Sequence, residues 1–470
     1  MNQCYSCTTC KSADKPLECY IAGLPMETSH HRVEGQSVKC GFGLQGVCCR
    51  LCSNGPCRIT PEAPHGICGA SADVIVARNF LRAVAAGSGC YIHVVETTAL
   101  NLKETALSGG ALKGMNALEH LCQLFAIPQG DPHTRAAAVA QAVLDDLYLP
   151  DYTPMKLQQK LSYAPRLAKW NELGILPGGA KSEVCAGVVK CSTNLNSDPT
   201  DMLLHCLKLG ISTGVYGLML TNLLNDVMLG EPEITPAPVG LGVIDPDYIN
   251  IMITGHQHSI FVHLQEQLKK PEVQELAKAA GARGFRLVGC SNLTAGGHDV
   301  LTVELTRELI ARDILVLTAG CSSGGLENCG LMTPEAASLA GPKLRAVCES
   351  LGIPPVLNFG PCLAIGRLEM VATELAQALN VDIPQLPLVL SAAQWLEEQA
   401  LADGAFGLAL GLPLHLGLPP FITGSSLVTK ILTEDMKALT GGQVIVNSHA
   451  GESADILEQI IMDKRQALNI

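Results

Sequence analysis

What the sequence lacks narrows the field first. It has no excess of positive charge: 32 Lys and Arg stand against 44 Asp and Glu, a formal net charge of −12. Nothing in it offers the basic field that nucleic acid selects, so no nucleic-acid partner is expected. Charged residues make up only 16% and aromatic residues 4%, while hydrophobic residues reach 47%, which argues against disorder. The opening stretch MNQCYSCTTCKSADK has no apolar h-region and does not read as a signal peptide. Apolar runs are interrupted by Gly, Pro or polar residues well short of a membrane span. The expectation is a cytoplasmic protein with no membrane span, its 470 residues sufficient for two or three domains.

Cysteine is present in excess. Ten of the 20 cysteines fall within the first 68 residues, where an even scatter would place about three. In a compartment that keeps thiols reduced, clustered cysteines point to metal before disulfide. Cys49-x2-Cys52-x4-Cys57-x10-Cys68 supplies four thiolates from a loop that Gly55 and Pro56 can turn. That spacing suits a [4Fe–4S] cubane, which takes one thiolate per iron. Structural zinc would leave Cys40 and Cys48 unexplained. Those two point away from the first group, and the same pair from two chains could hold a further cubane on a dimer axis. Cys4-x2-Cys7-x2-Cys10-x8-Cys19 begins like a ferredoxin run with a longer last spacing; an extra cubane, a zinc knot and an unstructured thiol tail stay open.

The texture along the chain changes twice. Residues 1–70 read as a cysteine-rich cluster region. A helical domain is expected over 71–235, with ADVIVARNFLRAVAAG stopping at Gly87. TRAAAVAQAVLDDLY follows, and then DPTDMLLHCLKLG, started by Asp198–Pro199 and stopped by Gly210. No strand is read from there to Gly230. Beyond it, YINIMITG, FRLVGC, DILVLTAG, PPVLNFG, PLVLSAA, GLALGLPLHLG and QVIVNS alternate with helical stretches. Runs of this kind suit strands buried on both faces, and the alternation predicts a doubly wound parallel-sheet, Rossmann-like domain over 236–470. The fold class is therefore α+α/β.

Ligands of open α/β sheets bind beyond the carboxyl ends of the strands. Four strand-like runs end on a metal-binding side chain: His256, Cys290, Cys321 and Cys362. One imidazole and three thiolates form a soft set suited to zinc or iron–sulfur. Cys329 lies eight residues beyond Cys321 and is a further candidate, with a packed core cysteine as its alternative. His258 reads as supporting or exposed. Cys90, Cys122, Cys185, Cys191, Cys206 and Cys348 lack ligand spacing and read as core.

KCGFGLQGVCCRLCSNGPCRITP, GICGASADVIVARNFLRAVAAG, STNLNSDPTDMLLHCLKLG, INIMITGH, LVLTAGCSSGGLENCGLM, PPVLNFGPC and LPLHLGLPPFITGSSLVTKILT together resemble the anaerobic nickel–iron carbon monoxide dehydrogenases, from about Lys39 to the C-terminus with one gap. The resemblance implies a homodimer with Cys40 and Cys48 bridging the subunits at one cubane. It implies a second cubane on Cys49, Cys52, Cys57 and Cys68, and an iron–sulfur active centre, with nickel in the family, on His256, Cys290, Cys321 and Cys362. It also implies CO oxidation with electrons passed to ferredoxin or a similar carrier.

The chain departs from that pattern in defined places. Only thirty residues separate Cys290 from Cys321, where the family carries most of a middle domain and an iron-binding cysteine. Cys362 is the last cysteine, so the family's C-terminal nickel ligand has no counterpart. Of the family's histidine ladder only His93 stands nearby, out of step, as a candidate proton carrier or a surface residue. Lys430 in GSSLVTKILT is the candidate beside the family's catalytic lysine, or a solvated lysine. Two further functions therefore stay in view: a nickel-free, hybrid-cluster-like reductase of a small molecule such as hydroxylamine, and an electron-transfer or redox-sensing protein without catalysis.

Overall fold

The structure is a computed structural model that describes residues 23–232 and 297–470, together with positions 252–253, 270–272, 275, 286–287 and 293–294. Among the described residues the strands are short: β1 (Cys48–Cys49), β2 (Cys57–Arg58), β3 (Met252–Ile253), β4 (Arg286–Leu287), β5 (Leu293–Thr294), β6 (Gly297–His298), β7 (Val316–Thr318), β8 (Val356–Asn358), β9 (Leu390–Ala392), β10 (Leu414–Leu416) and β11 (Val444–Val446). The helices used below are α1 (Ala72–Leu107), α2 (Pro132–Leu147), α3 (Ala180–Lys190), α4 (Pro199–Leu229), α5 (Cys321–Asn328), α6 (Ile365–Leu379) and α7 (Glu398–Leu410). The chain divides into two compact units of discontinuous sequence. One comprises Lys39–Pro232, Gly366–Asn447 and Gln459–Ile470; the other comprises the described parts of Met1–Val38, Glu233–Ile365 and Ser448–Glu458.

The first unit is built on α1, 36 residues long, which packs against α2, α3, α4 and α7. Ser71 caps it by accepting the Val74 N–H at 3.3 Å, and Asp73 in the first turn complements the helix dipole. The stop expected at Gly87 does not occur. Gly87 lies inside the helix because a Cβ there would sit 2.2 Å from the Glu398 carbonyl oxygen. The glycine serves a close backbone approach rather than a turn.

The expected stop at Gly210 fails for the same reason. Asp198 caps α4 through the Thr200 N–H at 2.8 Å, with Pro199 in the first turn as expected. The helix then runs past Gly210, whose Cβ would meet the Ala405 backbone at 2.5 Å, into a π-helical stretch, Thr213–Leu220. It ends at Gly230, with φ of 86°. Although α4 is long and apolar enough to cross a membrane by length and composition, 89% of its apolar window is buried inside the protein. Its leucines and methionines join one core with Leu81, Leu102, Leu118, Val143 and Phe406, each buried side chain contributing roughly 1.5–3 kcal/mol.

The parallel strands differ from expectation in their grouping. A single doubly wound sheet was predicted over 236–470; among the described residues parallel pairing occurs in three separate sheets, β3–β4, β7–β8 and the β11–β10–β9 array. The last of these belongs to the helical unit. GLALGLPLHLG opens with the last turn of α7, Gly407–Leu410, and only Leu414–Leu416 pairs as β10. Period alone cannot separate a buried helix from a buried strand, and Ala and Leu favour the helix. In the second unit β7 pairs with β8 in the register Val316↔Val356, beneath a small core of Val303, Ile310, Leu326 and Leu344.

Two glycines of α1 give a test. Gly87→Ala should destabilise the protein by about 1–3 kcal/mol through overpacking against backbone. Gly89→Ala meets only Val184 Cγ1 at 3.6 Å, so improved helix propensity should leave it neutral or more stable by about 0.5–1 kcal/mol. Denaturant unfolding that moves both variants in the same direction would contradict the close-approach assignment.

Candidate metal centres

The cysteine loop is held in place from its flanks. Cys40 precedes the short helix Gly41–Gln45, which ends at Gly46 with φ of 75°. A Cβ on Gly46 would stand 2.1 Å from the Phe421 carbonyl oxygen, and the Gly424 N–H donates to Gln45 O at 2.9 Å. On the other side Asn79 of α1 donates its amide to Gly46 O at 2.9 Å and Cys48 O at 3.0 Å. Sequence reasoning missed Asn79; its one signal was an amide among the apolar residues of VARNFLR.

Between these anchors β1 pairs with β2 antiparallel, placing Cys49 directly opposite Cys57. Cys52 lies in the connecting turn, which the Gly55 N–H closes onto Cys52 O at 3.1 Å. The Gly66–Gly69 turn carries Cys68, and a Cβ on Gly66 would lie 3.7 Å from Cys57 Sγ. Cys49 is buried, Cys52 and Cys57 are half-buried, and Cys68 is exposed. Consecutive residues of a strand face opposite sides, so Cys48 points away from the side of Cys49. Cys40 is exposed and Cys48 half-buried.

This donor set fits a cubane better than one ion. Among the described residues no three His, Cys, Asp or Glu side chains converge as ligands of a single metal ion. A mononuclear zinc needs such convergence, whereas a cubane spreads its thiolates one per iron. Arg78 and Arg82, on either side of Asn79 in the sequence, add a second indication. Their Nε atoms are buried without hydrogen-bond partners, on the helix that holds the cysteine loop.

The strand-end centre is described in half. Cys321 opens α5 after β7, and Cys362 follows β8, so both stand beyond the carboxyl ends of two paired parallel strands. They are brought together closely: a Cβ on Gly320 would lie 2.8 Å from Cys362 Sγ. Gly320 has φ of 73°, and its N–H donates to Gly360 O at 2.8 Å. Asn358 Oδ1 ties the two loops by accepting from Ser323 Oγ at 3.1 Å and from the Gly360 N–H at 2.9 Å. Neither Gly320 nor Asn358 was singled out in the sequence, although both lie within the motifs. Cys329 caps the opposite end of α5, about 12 Å from Cys321 along the axis at 1.5 Å per residue. His256, Cys290 and His258, like Cys4, Cys7, Cys10 and Cys19, lie outside the described residues.

The two acid–base candidates stand at the surface. Lys430 is 56% exposed and its Nζ pairs with Asp435 Oδ1 at 2.7 Å. That hydrogen bond raises its pKa, so the residue stays a cation and does not act as a base near neutrality. His93 is 65% exposed and lies 3.6 Å from Glu96. Of the cysteines read as core, Cys122, Cys191, Cys206 and Cys348 are buried, but Cys185 is exposed and Cys90 half-buried. Burial pushes the Cys191 thiol up to about 11 and Cys206 well above the usual range, so both stay protonated and inert.

Residues 47–289 and 282–450 match the model of the Prismane/CO dehydrogenase family. The carbon monoxide dehydrogenase of Methanocaldococcus jannaschii is 36% identical, the alignment covering 95% of this chain and 96% of that protein. That of Methanopyrus kandleri is 37% identical over 95% of each. A nickel-free crystal structure of carbon monoxide dehydrogenase from Thermococcus sp. AM4, 26% identical, superimposes with a TM-score of 0.89 over 98% of both chains. The first alignment runs over 602 positions against 470 residues here, so at least 132 positions have no counterpart in this chain. The two stretches of the family match meet at residues 282–289, immediately before Cys290. The chain belongs to the Prismane/CO dehydrogenase family and is an oxidoreductase of the carbon monoxide dehydrogenase type.

Proposed function

We propose that the chain oxidises carbon monoxide, CO + H2O → CO2 + 2H⁺ + 2e⁻, at a centre held by Cys321 and Cys362 with His256 and Cys290. The observation that carries this reading is the convergence of Cys321 and Cys362 beyond the paired ends of β7 and β8. An iron–sulfur centre bound there, with or without nickel, supplies CO binding, water activation and the redox step. The chain supplies the frame. Cys362 is buried, so its thiolate is shielded from water. Gly320 leaves room for that sulfur, and Asn358 holds both ligand-bearing loops at one edge. Lys430, as a cation, attracts anionic groups rather than taking protons.

Cys49, Cys52, Cys57 and Cys68 would hold one cubane, and Cys40 and Cys48 of two protomers a second, which would supply electron transfer toward ferredoxin or a similar carrier. Cys4, Cys7, Cys10 and Cys19 would hold an additional cubane on the same path. This assigns 1–70 to electron transfer, 71–235 to the helical frame and 236–470 to the centre, in a cytoplasmic homodimer. Opposite faces for Cys48 and Cys49 on β1 support separate clusters. A nickel-free reductase on the same frame is favoured by one observation: no cysteine follows Cys362.

Anaerobic purification with iron and nickel quantified per dimer, followed by CO-dependent dye reduction, tests the activity. Weak CO oxidation is expected, since no cysteine beyond Cys362 offers the family's nickel thiolate; hydroxylamine reduction without nickel would replace it with the hybrid-cluster reading. Cys362→Ser and Gly320→Ala should each remove the strand-end centre's spectroscopic signal while sparing the cubane of the cysteine loop. Loss of every cluster in both variants would contradict two separate sites. The double variant Cys40→Ser, Cys48→Ser should lose about four irons per dimer and dissociate. An unchanged iron count in a stable dimer would remove the bridging role.

A further inference from the structure

The surface around the cysteine loop differs in charge from the chain that carries it. The chain as a whole has a formal net charge of −12. Residues 39–70 reverse that sign, with Lys39, Arg50 and Arg58 against one acid, Glu62. All three cations are exposed. None of them has a carboxylate partner among the described residues.

Their placement follows from the hairpin. β1 and β2 pair Cys48 with Arg58 and Cys49 with Cys57. Directly opposed residues of an antiparallel pair share a face, and consecutive ones do not. Arg58 therefore stands on the side of Cys48, away from the side of Cys49 and Cys57. Its guanidinium lies 5.2 Å from the centre of the Phe42 ring, in the short helix Gly41–Gln45 that follows Cys40. Arg58 thus links the two elements that carry Cys40 and Cys48. Lys39 directly precedes Cys40, and Arg50 directly follows Cys49. Leu44, on the same short helix as Phe42, is 46% exposed, and Ile67, next to Cys68, is 70% exposed. Exposed apolar side chains beside charged ones are the make-up of a protein docking surface rather than of a small-ion site.

We propose that Lys39, Arg50 and Arg58 form the docking surface for a small acidic electron-transfer protein, seated beside Cys40 and Cys48. The proposal rests on the reading of this loop as a cubane-binding region and names the chemistry of its partner. Charge complementarity selects the occupant. At physiological ionic strength the Debye length is about 8 Å, so a docking protein responds to the charges within its own footprint rather than to the net charge of the chain. An acidic surface is attracted at this patch and repelled by the acidic remainder, which fixes orientation as well as place. In the proposed dimer Cys40 and Cys48 of both protomers meet, so two such patches related by the two-fold axis flank them.

The test uses the metal-loaded dimer and two probes, an acidic [4Fe–4S] ferredoxin and the basic protein cytochrome c, with binding measured by calorimetry in the absence of CO. The wild type should bind the ferredoxin and not cytochrome c, with an affinity that falls as salt rises from roughly 50 to 500 mM. Arg50→Gln and Arg58→Gln should each weaken ferredoxin binding about 3- to 10-fold, and the double variant more than about tenfold with a shallower salt dependence. Arg58→Lys should keep most of the affinity, which separates the charge from the Phe42 contact. Lys103→Gln lies on α1 about 36 Å beyond Asn79 at 1.5 Å per residue and should leave binding unchanged. Unchanged ferredoxin affinity in the double variant would overturn the docking surface, as would a wild type that binds no ferredoxin. Dissociation of the double variant into monomers that keep their ferredoxin affinity would overturn it in favour of a contact between the two copies. A shifted cluster potential with unchanged affinity would overturn it in favour of cations that serve the cluster's own charge. A wild-type loop without its iron, with salt-dependent ferredoxin binding intact, would instead overturn the cubane reading on which the proposal rests.

Discussion

The helical unit depends on backbone meeting backbone where no Cβ fits. Gly87 lets α1 touch the start of α7, Gly210 lets α4 touch its middle, and Gly366 lets α6 press on the π-helical stretch of α4. Contacts this close leave little freedom to slide or rotate, since neighbouring backbone cannot yield as a flexible side chain can. The fixed position of α1 then determines the position of Asn79. Asn79 in turn holds the carbonyls on both sides of Val47, and so sets where β1 presents Cys48 and Cys49. Thiols on a loop of turns and two-residue strands thus acquire the rigidity of a long buried helix.

Buried charge in this unit falls into two classes. Arg166 meets Asp382 through two of its nitrogens and also donates to Thr440 O, and Arg367 meets Asp226 in the same forked manner. Asp146 accepts the backbone N–H groups of Lys156 and Leu157 and the Tyr216 hydroxyl. Each of these is satisfied, and removal of one partner would leave a charge stranded at roughly 3–5 kcal/mol. Glu369 and Asp403 differ: Oε2 of the first and Oδ1 of the second have no hydrogen-bond partner, and Tyr91 donates only to Asp403 Oδ2. Acids pushed up by burial in this way are retained at a stability cost as pH rises.

The chemistry-bearing spacing was legible in the sequence because it is local. Cys49, Cys52, Cys57 and Cys68 lie within one loop, and Asp198–Pro199 starts α4 as read. Cys321 and Cys362 were legible for a topological reason, since each follows a short apolar run and parallel neighbours bring such ends together. The glycines were misread because their reason is tertiary. Gly87 and Gly210 look like stops until the segments at Ala405 and Glu398, about two hundred residues or more further on, are in place. Glu369 and Asp403 gave no signal at all, as a single acid in an apolar helix reads as a solvated face until the neighbouring helices enclose it.

The shortening of the chain bears on ligand number more than on ligand placement. The family match breaks at 282–289, whereas β7 begins at Val316 and pairs with β8 forty residues later. That pair rests on its own small core of Val303, Ile310, Leu326, Leu344 and Val356, none of which lies near the break. Cys321, Gly320, Asn358 and Cys362 therefore keep their mutual geometry whether or not a middle segment is present. What the missing positions remove is a source of additional donors. On the proposed reading, the strand-end frame stands while the number of thiolates it can gather is reduced. For the proposed centre, metal identity rather than its existence is the property that such a reduction would change.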